Sequence, residues 1–200
     1  MNYRQRVIIF TIAFGVQESP KVFNDMYPFL KLTATLLKAK YRSKLNPREK
    51  SVLNFRTGMS DIDMFMELNN ARYFNYMELG RWDYSFRVGF VSLMKTNNWG
   101  VAVGGASIRY RRRIPLFSKF SLTTQLICHD GRWFYFLQET HLKKKICSSA
   151  LMKVCVTSKQ GLVPVTEVIN NFNSDDFTEE MPEWVKAWIE AESQRPWLSE

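Results

Sequence analysis

The order of patterns along this chain predicts a single α+β domain built on an antiparallel sheet, and three observations carry that reading. A long helical period starts at Ala71, where Tyr73, Met77, Tyr84 and Val88 recur at three- and four-residue steps with Gly80 on the same face. One alternating stretch, 51–58, precedes it and sets Val52, Asn54 and Arg56 against Leu53, Phe55 and Thr57. A meander follows it. The strand-like runs 120–129, 132–143 and 146–158 are joined by His129-Asp130-Gly131, which holds an Asp-Gly hairpin signal, and by the solvated tip Lys143-Lys144-Lys145.

Composition bounds the answer. Two hundred residues, 46% of them hydrophobic and without a low-complexity run, suffice for one core with short appendages. A net charge of +9 directs the protein toward acidic partners: nucleic acid, anionic lipid or a phosphorylated ligand. The three cysteines, Cys128, Cys147 and Cys155, lie in strand-like runs without paired spacing and read as buried reduced thiols, which favours a cytoplasmic setting.

In chain order, two arginines introduce an apolar run from Val7 to Val16 that superficially resembles a signal peptide. It falls short of the ~20 residues needed to cross a bilayer, and no small-x-small cleavage pattern follows before Pro20, which argues against export. Met26 is an alternative start. A membrane-touching N-terminal segment is the sharper and less favoured reading. Residues 22–45 then form an amphipathic pattern, with Phe29, Leu32, Leu36 and Leu37 on one side and Lys31, Lys38, Lys40, Arg42 and Lys44 elsewhere. Such a helix usually docks its apolar side on the domain, and a basic one can also lie on an anionic membrane. Asn46-Pro47 ends it.

The strand at 51–58 leads into a loop bearing Asp61, Asp63 and Glu67, and Asn69 and Asn70 stand where the N-cap of the long helix belongs. Acids before a helix start stabilise it by ~0.3–1 kcal/mol each through the helix dipole. They also permit chemistry, because free N–H groups at a helix start stabilise a developing oxyanion while a neighbouring carboxylate activates water or attacks. The helix carries a second stripe, Leu79, Trp82 and Phe86, with Arg72, Asp83 and Arg87 between the two, so it is covered on more than one side until about Gly89.

Asn97 and Asn98 mark a turn, and a strand runs from Gly100 to Tyr110 with Gly104-Gly105 inside it. Paired glycines there mark a bulge or a close approach, in this reading to the central helix or a ligand. Arg109, Arg111, Arg112 and Arg113 end at Pro115 and form the strongest basic cluster, balanced between a phosphate-holding edge and the solvent side of a strand. Nucleic acid is the weaker partner, since Trp133 to Phe136 is a continuous aromatic run suited to a buried strand rather than a stacking platform. After Pro164 come a short helix at 165–172, an acidic linker at 173–180 and a last helix at 182–193, whose Trp184, Trp188 and Ile189 need cover from the domain or a dimer mate.

The motif Asp61-x-Asp63 followed by Leu68-Asn69-Asn70-Ala71-Arg72-Tyr73 resembles the signature of the hotdog-fold acyl-CoA thioesterases of the 4-hydroxybenzoyl-CoA thioesterase type, commonly D-x-D-x-x-x-H-x-N-N-x-R-Y. The segments 106–112, 132–135 and 161–164 are similar to that family's later strands, so the resemblance spans about 51–169. It implies a long helix wrapped by an antiparallel sheet of five to six strands, with active sites at the interface of a homodimer or dimer of dimers. The domain is then 51–170, with 1–50 an N-terminal extension and 171–200 a linker and C-terminal helix. The resemblance also implies a substrate, the thioester of coenzyme A or an acyl carrier.

It makes Asp63 the general base or nucleophile, with Glu67, Asn69 and Asn70 as further catalytic positions, and Ala71, Arg72, Tyr73, Gly104, Arg109 and Arg111 as substrate-binding positions. Glu67 departs from the usual His, and a carboxyl donates a proton as imidazole does only if its pKa is raised. That departure keeps a second class open, a non-catalytic hotdog domain that binds an acyl chain, a membrane or a partner. No cofactor or metal is implied: the two histidines, His129 and His141, have no ligand spacing, and the Gly-x-Ser-x-Gly elbow and phosphate-cradling glycine loop are absent.

Overall fold

The computed structural model describes residues 29–172, 177 and 180–196, so the apolar run at 7–16 and the Met26 start lie outside the described residues. Its elements are α1 (Phe29–Lys40), β1 (Ser51–Arg56), a 3-10 turn (Met59–Asp61), α2 (Asn70–Arg87), α3 (Phe90–Asn97), β2 (Gly100–Tyr110), β3 (Lys119–His129), β4 (Phe134–Leu142), β5 (Lys145–Ser158), β6 (Gly161–Val163), α4 (Val165–Phe172) and α5 (Glu183–Ser193). Two differ from expectation. The basic helix stops at Lys40 and unwinds through turn bonds from Tyr41 and Arg42, because Arg42 leaves it for an internal partner. Gly89 takes φ 88°, a left-handed conformation that ends α2 and caps an additional helix, α3.

The six strands form one antiparallel sheet in the order β1-β3-β4-β5-β2, with β6 on β5, and its inner face wraps α2. Tyr73, Tyr76, Met77, Leu79 and Tyr84 of the helix pack with Phe120, Leu122, Phe136, Met152 and Val154 of the sheet. A large side chain buried in this way contributes about 1.5–3 kcal/mol. Gly80 sets the spacing: a Cβ there would lie 2.5 Å from Thr124 Oγ1 and 2.8 Å from Leu122, so only glycine lets helix and sheet approach this closely. Buried Gln138 fills the seam. Its amide nitrogen donates to Met77 O and Thr124 Oγ1, both at 2.8 Å, and its oxygen accepts from Arg81 at 2.8 Å. A polar group inside a core is tolerated on those terms.

The outer face carries a smaller cluster, in which α5 brings Val185, Trp188 and Ile189 onto Cys128, Tyr135 and Leu151. The domain itself therefore covers Trp188 and Ile189 of the C-terminal helix, whereas Trp184 stays 50% exposed. The glycine pair of β2 belongs to this outer face. A register shift lies between Val103 and Gly105, as the paired glycines predict. The close approach, however, is to Trp133, whose ring would sit 2.3 Å from a Cβ on Gly104, and to Trp188 beside Gly105. That corrects the expected approach of Gly104 to the central helix or substrate.

At the far end of α2, Asp83 is fully buried. Both its oxygens accept from Arg42 at 2.9 Å, Ser51 Oγ donates to it as well, and Arg87 stands 3.6 Å away. One carboxylate thus ties the turn after α1 to β1 and α2. Cys128, Cys147 and Cys155 are buried and unbridged. Among the described residues no helix is long and apolar enough to cross a membrane.

Candidate active site

The acid loop before α2 is fastened along one side to the segment that follows the arginine cluster. Leu68 N–H donates to Ile114 O at 2.8 Å, Leu116 N–H to Met66 O at 3.1 Å, and Glu67 bridges Pro115. Within the loop the three acids do different work. Asp61 is buried, and its Oδ2 accepts from the Tyr76 hydroxyl at 2.7 Å and the Gly58 N–H at 2.9 Å. Burial first, then this hydrogen bond, raises the Tyr76 pKa, so the phenol stays protonated and Asp61 is a brace.

Asp63 is half-buried. Its Oδ1 accepts from the N–H of Phe65 at 2.8 Å and more weakly from that of Glu67 at 3.4 Å, while its Oδ2 has no hydrogen bond among the described residues. Glu67 Oε2 lies 3.4 Å from Arg113 Nε, in an exposed pair of the kind worth about 0–1 kcal/mol. The tip between them is apolar and open to solvent, with Met64 86% and Phe65 71% exposed. Met66 holds φ 60° there.

Asn69 is the N-cap of α2. Its side-chain oxygen accepts from Ala71 N–H at 2.9 Å and its carbonyl from Arg72 N–H at 2.9 Å. The capping bonds therefore occupy the Ala71 N–H, and they leave Asn70 N–H as the first amide of the helix outside them. Tyr73 is buried with its ring 5.0 Å from that of Tyr110, edge to face. Burial chiefly, and then Cys147, Tyr110 and Glu67, raise its pKa. Arg72 is half-buried at the same helix start.

Asp63, Glu67, Asn69, Asn70, Ala71, Arg72 and Tyr73 are thus gathered at one end of α2, and three other predicted positions are not. Gly104 faces Trp133 on the outer side. Tyr110 points inward to Tyr73, so alternation turns Arg109 to the opposite face of β2, and Arg111 is exposed just past the strand end. The arginine that reaches the acid loop is Arg113, which the spacing of the cluster did not single out. No group of three His, Cys, Asp or Glu side chains able to hold a metal occurs among the described residues.

The match to known families covers this region. Residues 57–189 fit the family model of the thioesterase-like superfamily. The chain belongs to the thioesterase-like superfamily. The Protein THEM6 of Drosophila melanogaster is 29% identical over 134 residues, 66% of this chain and 67% of that protein. The long-chain acyl-CoA thioesterase FadM of Escherichia coli is 27% identical over 101 residues, 49% of this chain and 76% of its own. Among solved structures, the YbaW probable thioesterase from Escherichia coli superposes with a TM-score of 0.58 at 20% identity, covering 64% of this chain and 98% of that one. The superposition shows the fold, a central helix wrapped by a curled antiparallel sheet, which is the hotdog arrangement implied by the motif. The residues matched by the superfamily model include the acid loop, α2 and most of α5.

Proposed function

We propose that the protein hydrolyses an acyl thioester of coenzyme A or an acyl carrier, with Asp63 as base or nucleophile. The observation that carries this reading is a carboxylate with one oxygen clamped by its own loop and the other without a hydrogen bond among the described residues, just ahead of a helix whose first N–H lies outside its cap. Acting as nucleophile, Oδ2 attacks the thioester carbon, the C–S bond breaks, and water then opens the acyl-aspartyl anhydride. Acting as base, it takes a proton from the water that attacks. Both routes give a carboxylic acid and a thiol. Asn70 N–H and the positive end of α2 stabilise the oxyanion, and Asn69 fixes that helix start.

Glu67, paired with Arg113, lines the approach. Ala71, Arg72 and Tyr73 hold the acyl side, and Arg109 and Arg111 are open to the phosphates of the carrier. The unpaired, exposed edge of β2, with Val101 and Val103 at 42% and 50% exposure, supports a homodimer or dimer of dimers joined there. Residues 51–170 carry the chemistry, with 1–50 and 171–200 as attachments, and the three buried thiols support a cytoplasmic setting. The relative named as a long-chain acyl-CoA thioesterase supports the substrate class.

One observation favours a second reading, a binding domain without turnover: Glu67, at the position where the resembled motif commonly has His, is engaged by Arg113 beside an exposed apolar tip. Thiol release from short, medium, long and aromatic acyl-CoA thioesters separates the two. Hydrolysis of one class, lost by about a hundredfold or more in Asp63→Asn, is expected. No release from any thioester by a folded wild-type protein overturns the first reading.

A further inference from the structure

On the outer face of the sheet the ends of β1, β3 and β4 and the β4–β5 hairpin enclose an open groove of about 540 Å3. The sequence read its lysines as a solvated turn. Phe55 and Phe120 are register partners that point inward to Tyr76, so their neighbours Arg56 and Lys119 emerge together on the opposite face. His141 joins them through its pairing with Ser121. Lys143 and Lys144, at φ 48° and 66°, turn the hairpin at the groove's edge, and Asn54, Phe55, Phe120 and Ser121 complete a lining that contains no acidic residue.

Four permanent cations drawn from three elements of the fold meet here, where a solvated turn needs only a run of them. Lys119, Lys143 and Lys144 form no ion pair among the described residues, and Arg56 spends its Nε on Phe117 O at 3.1 Å. In the groove wall, His141 Nδ1 is buried without a hydrogen-bond partner among the described residues, while its Nε2 stands 3.8 Å from Glu139. Gathering like charges costs free energy that an anion would recover. The volume falls within the ~300–1,000 Å3 of ligand sites and exceeds what a single phosphate fills.

We propose that this groove binds a ligand carrying two or more phosphoryl groups. A bisphosphorylated nucleotide and a polyphosphorylated lipid headgroup share that chemistry. The groove borders the acid loop through one segment: Arg56 bonds Phe117, while Glu67 and Met66 bond Pro115 and Leu116. The nucleotide arm rests on the proposed coenzyme A substrate, whose carrier bears these phosphates, whereas the test reads binding and not hydrolysis.

The full chain is titrated calorimetrically with adenosine 3′,5′-bisphosphate, with pyrophosphate and with adenosine. It is also floated with phosphatidylcholine vesicles containing either phosphatidylinositol 4,5-bisphosphate or phosphatidylserine. Binding to a phosphorylated probe, and not to adenosine or phosphatidylserine, is expected, and the arm that binds names the source. Lys143→Gln/Lys144→Gln weakens it by about tenfold or more, as loss of charge-assisted contacts requires. Lys95→Gln/Lys159→Gln, an equal change of charge elsewhere on the surface, leaves it within about twofold. Lys119→Gln replaces the hairpin variant should the latter melt early. No binding at millimolar probe, or the same loss in both double variants, overturns the proposal.

Discussion

Two carboxylates serve the central helix from its two ends, and they are held in opposite ways. Asp83, on the last turns of α2, is fully buried with both oxygens bonded by Arg42, and Ser51 and Arg87 complete its surroundings. Asp63, in the loop ahead of α2, is half-buried, has one oxygen bonded by its own loop and keeps the other unspent among the described residues. A carboxylate saturated by cations and hydroxyls can do nothing but hold elements together. One with a spare lone pair beside a helix start retains the capacity to react. The difference lies in the partners each fold position supplies, since the residue type is the same.

The largest effect expected from breaking this contrast is at the buried end. Asp83→Asn leaves Arg87, only 6% exposed at its side chain, without its counter-charge. Stability should fall by ~3–5 kcal/mol, or Tm by on the order of 10 °C, with turnover per folded molecule kept. An unchanged melt would erase the structural half of the contrast. At the open end, Asp63→Asn should do the reverse. A hundredfold loss in kcat/KM corresponds to about 2.7 kcal/mol of transition-state stabilisation, and thermal melting should stay within about 2 °C of wild type.

The brace between the two ends sharpens the comparison. Tyr76→Phe removes the hydroxyl that donates to buried Asp61 and should cost about 1–3 kcal/mol by chemical denaturation. The pH dependence has a fixed sign. Burial and Asp61 raise the Tyr76 pKa above the usual value of about 10, so the folded protein keeps a proton that the unfolded chain releases. This contribution is complete below about pH 10 and declines as pH rises beyond it. The Phe variant should therefore lose stability less steeply in alkali. The smallest effect belongs to the exposed pair: Arg113→Gln should change stability by less than ~1 kcal/mol, read by the same denaturation curves.

Much of the scaffold was legible because it rests on local periodicity. The α2 stripe of Tyr73, Met77, Gly80 and Tyr84 is buried as its spacing requires, and the strand from Gly100 to Tyr110 has those bounds. The Asn69 cap and the Asp63 loop were equally legible, being contacts between near neighbours in the chain. What escaped was decided at long range. Asp83 looked like one charge between two apolar stripes, because its partners Arg42 and Ser51 lie 41 and 32 residues away. The same limit hid the neighbour of Gly104, which is Trp133, and the pairing of Arg113 with Glu67, which depends on where the chain bends after Tyr110.

By itself the sequence determined the α+β class, the central helix and its cap, the hairpins, and the acid loop with its superfamily motif, since each follows from spacing within a few residues. Tertiary structure alone decided which acid is locked and which is open, that the glycine pair receives two tryptophans, and that cations from separate strands share a groove. Charge neutralisation, burial and close approach are properties of neighbours in space, and in a sheet ordered β1-β3-β4-β5-β2 those neighbours are remote in the chain.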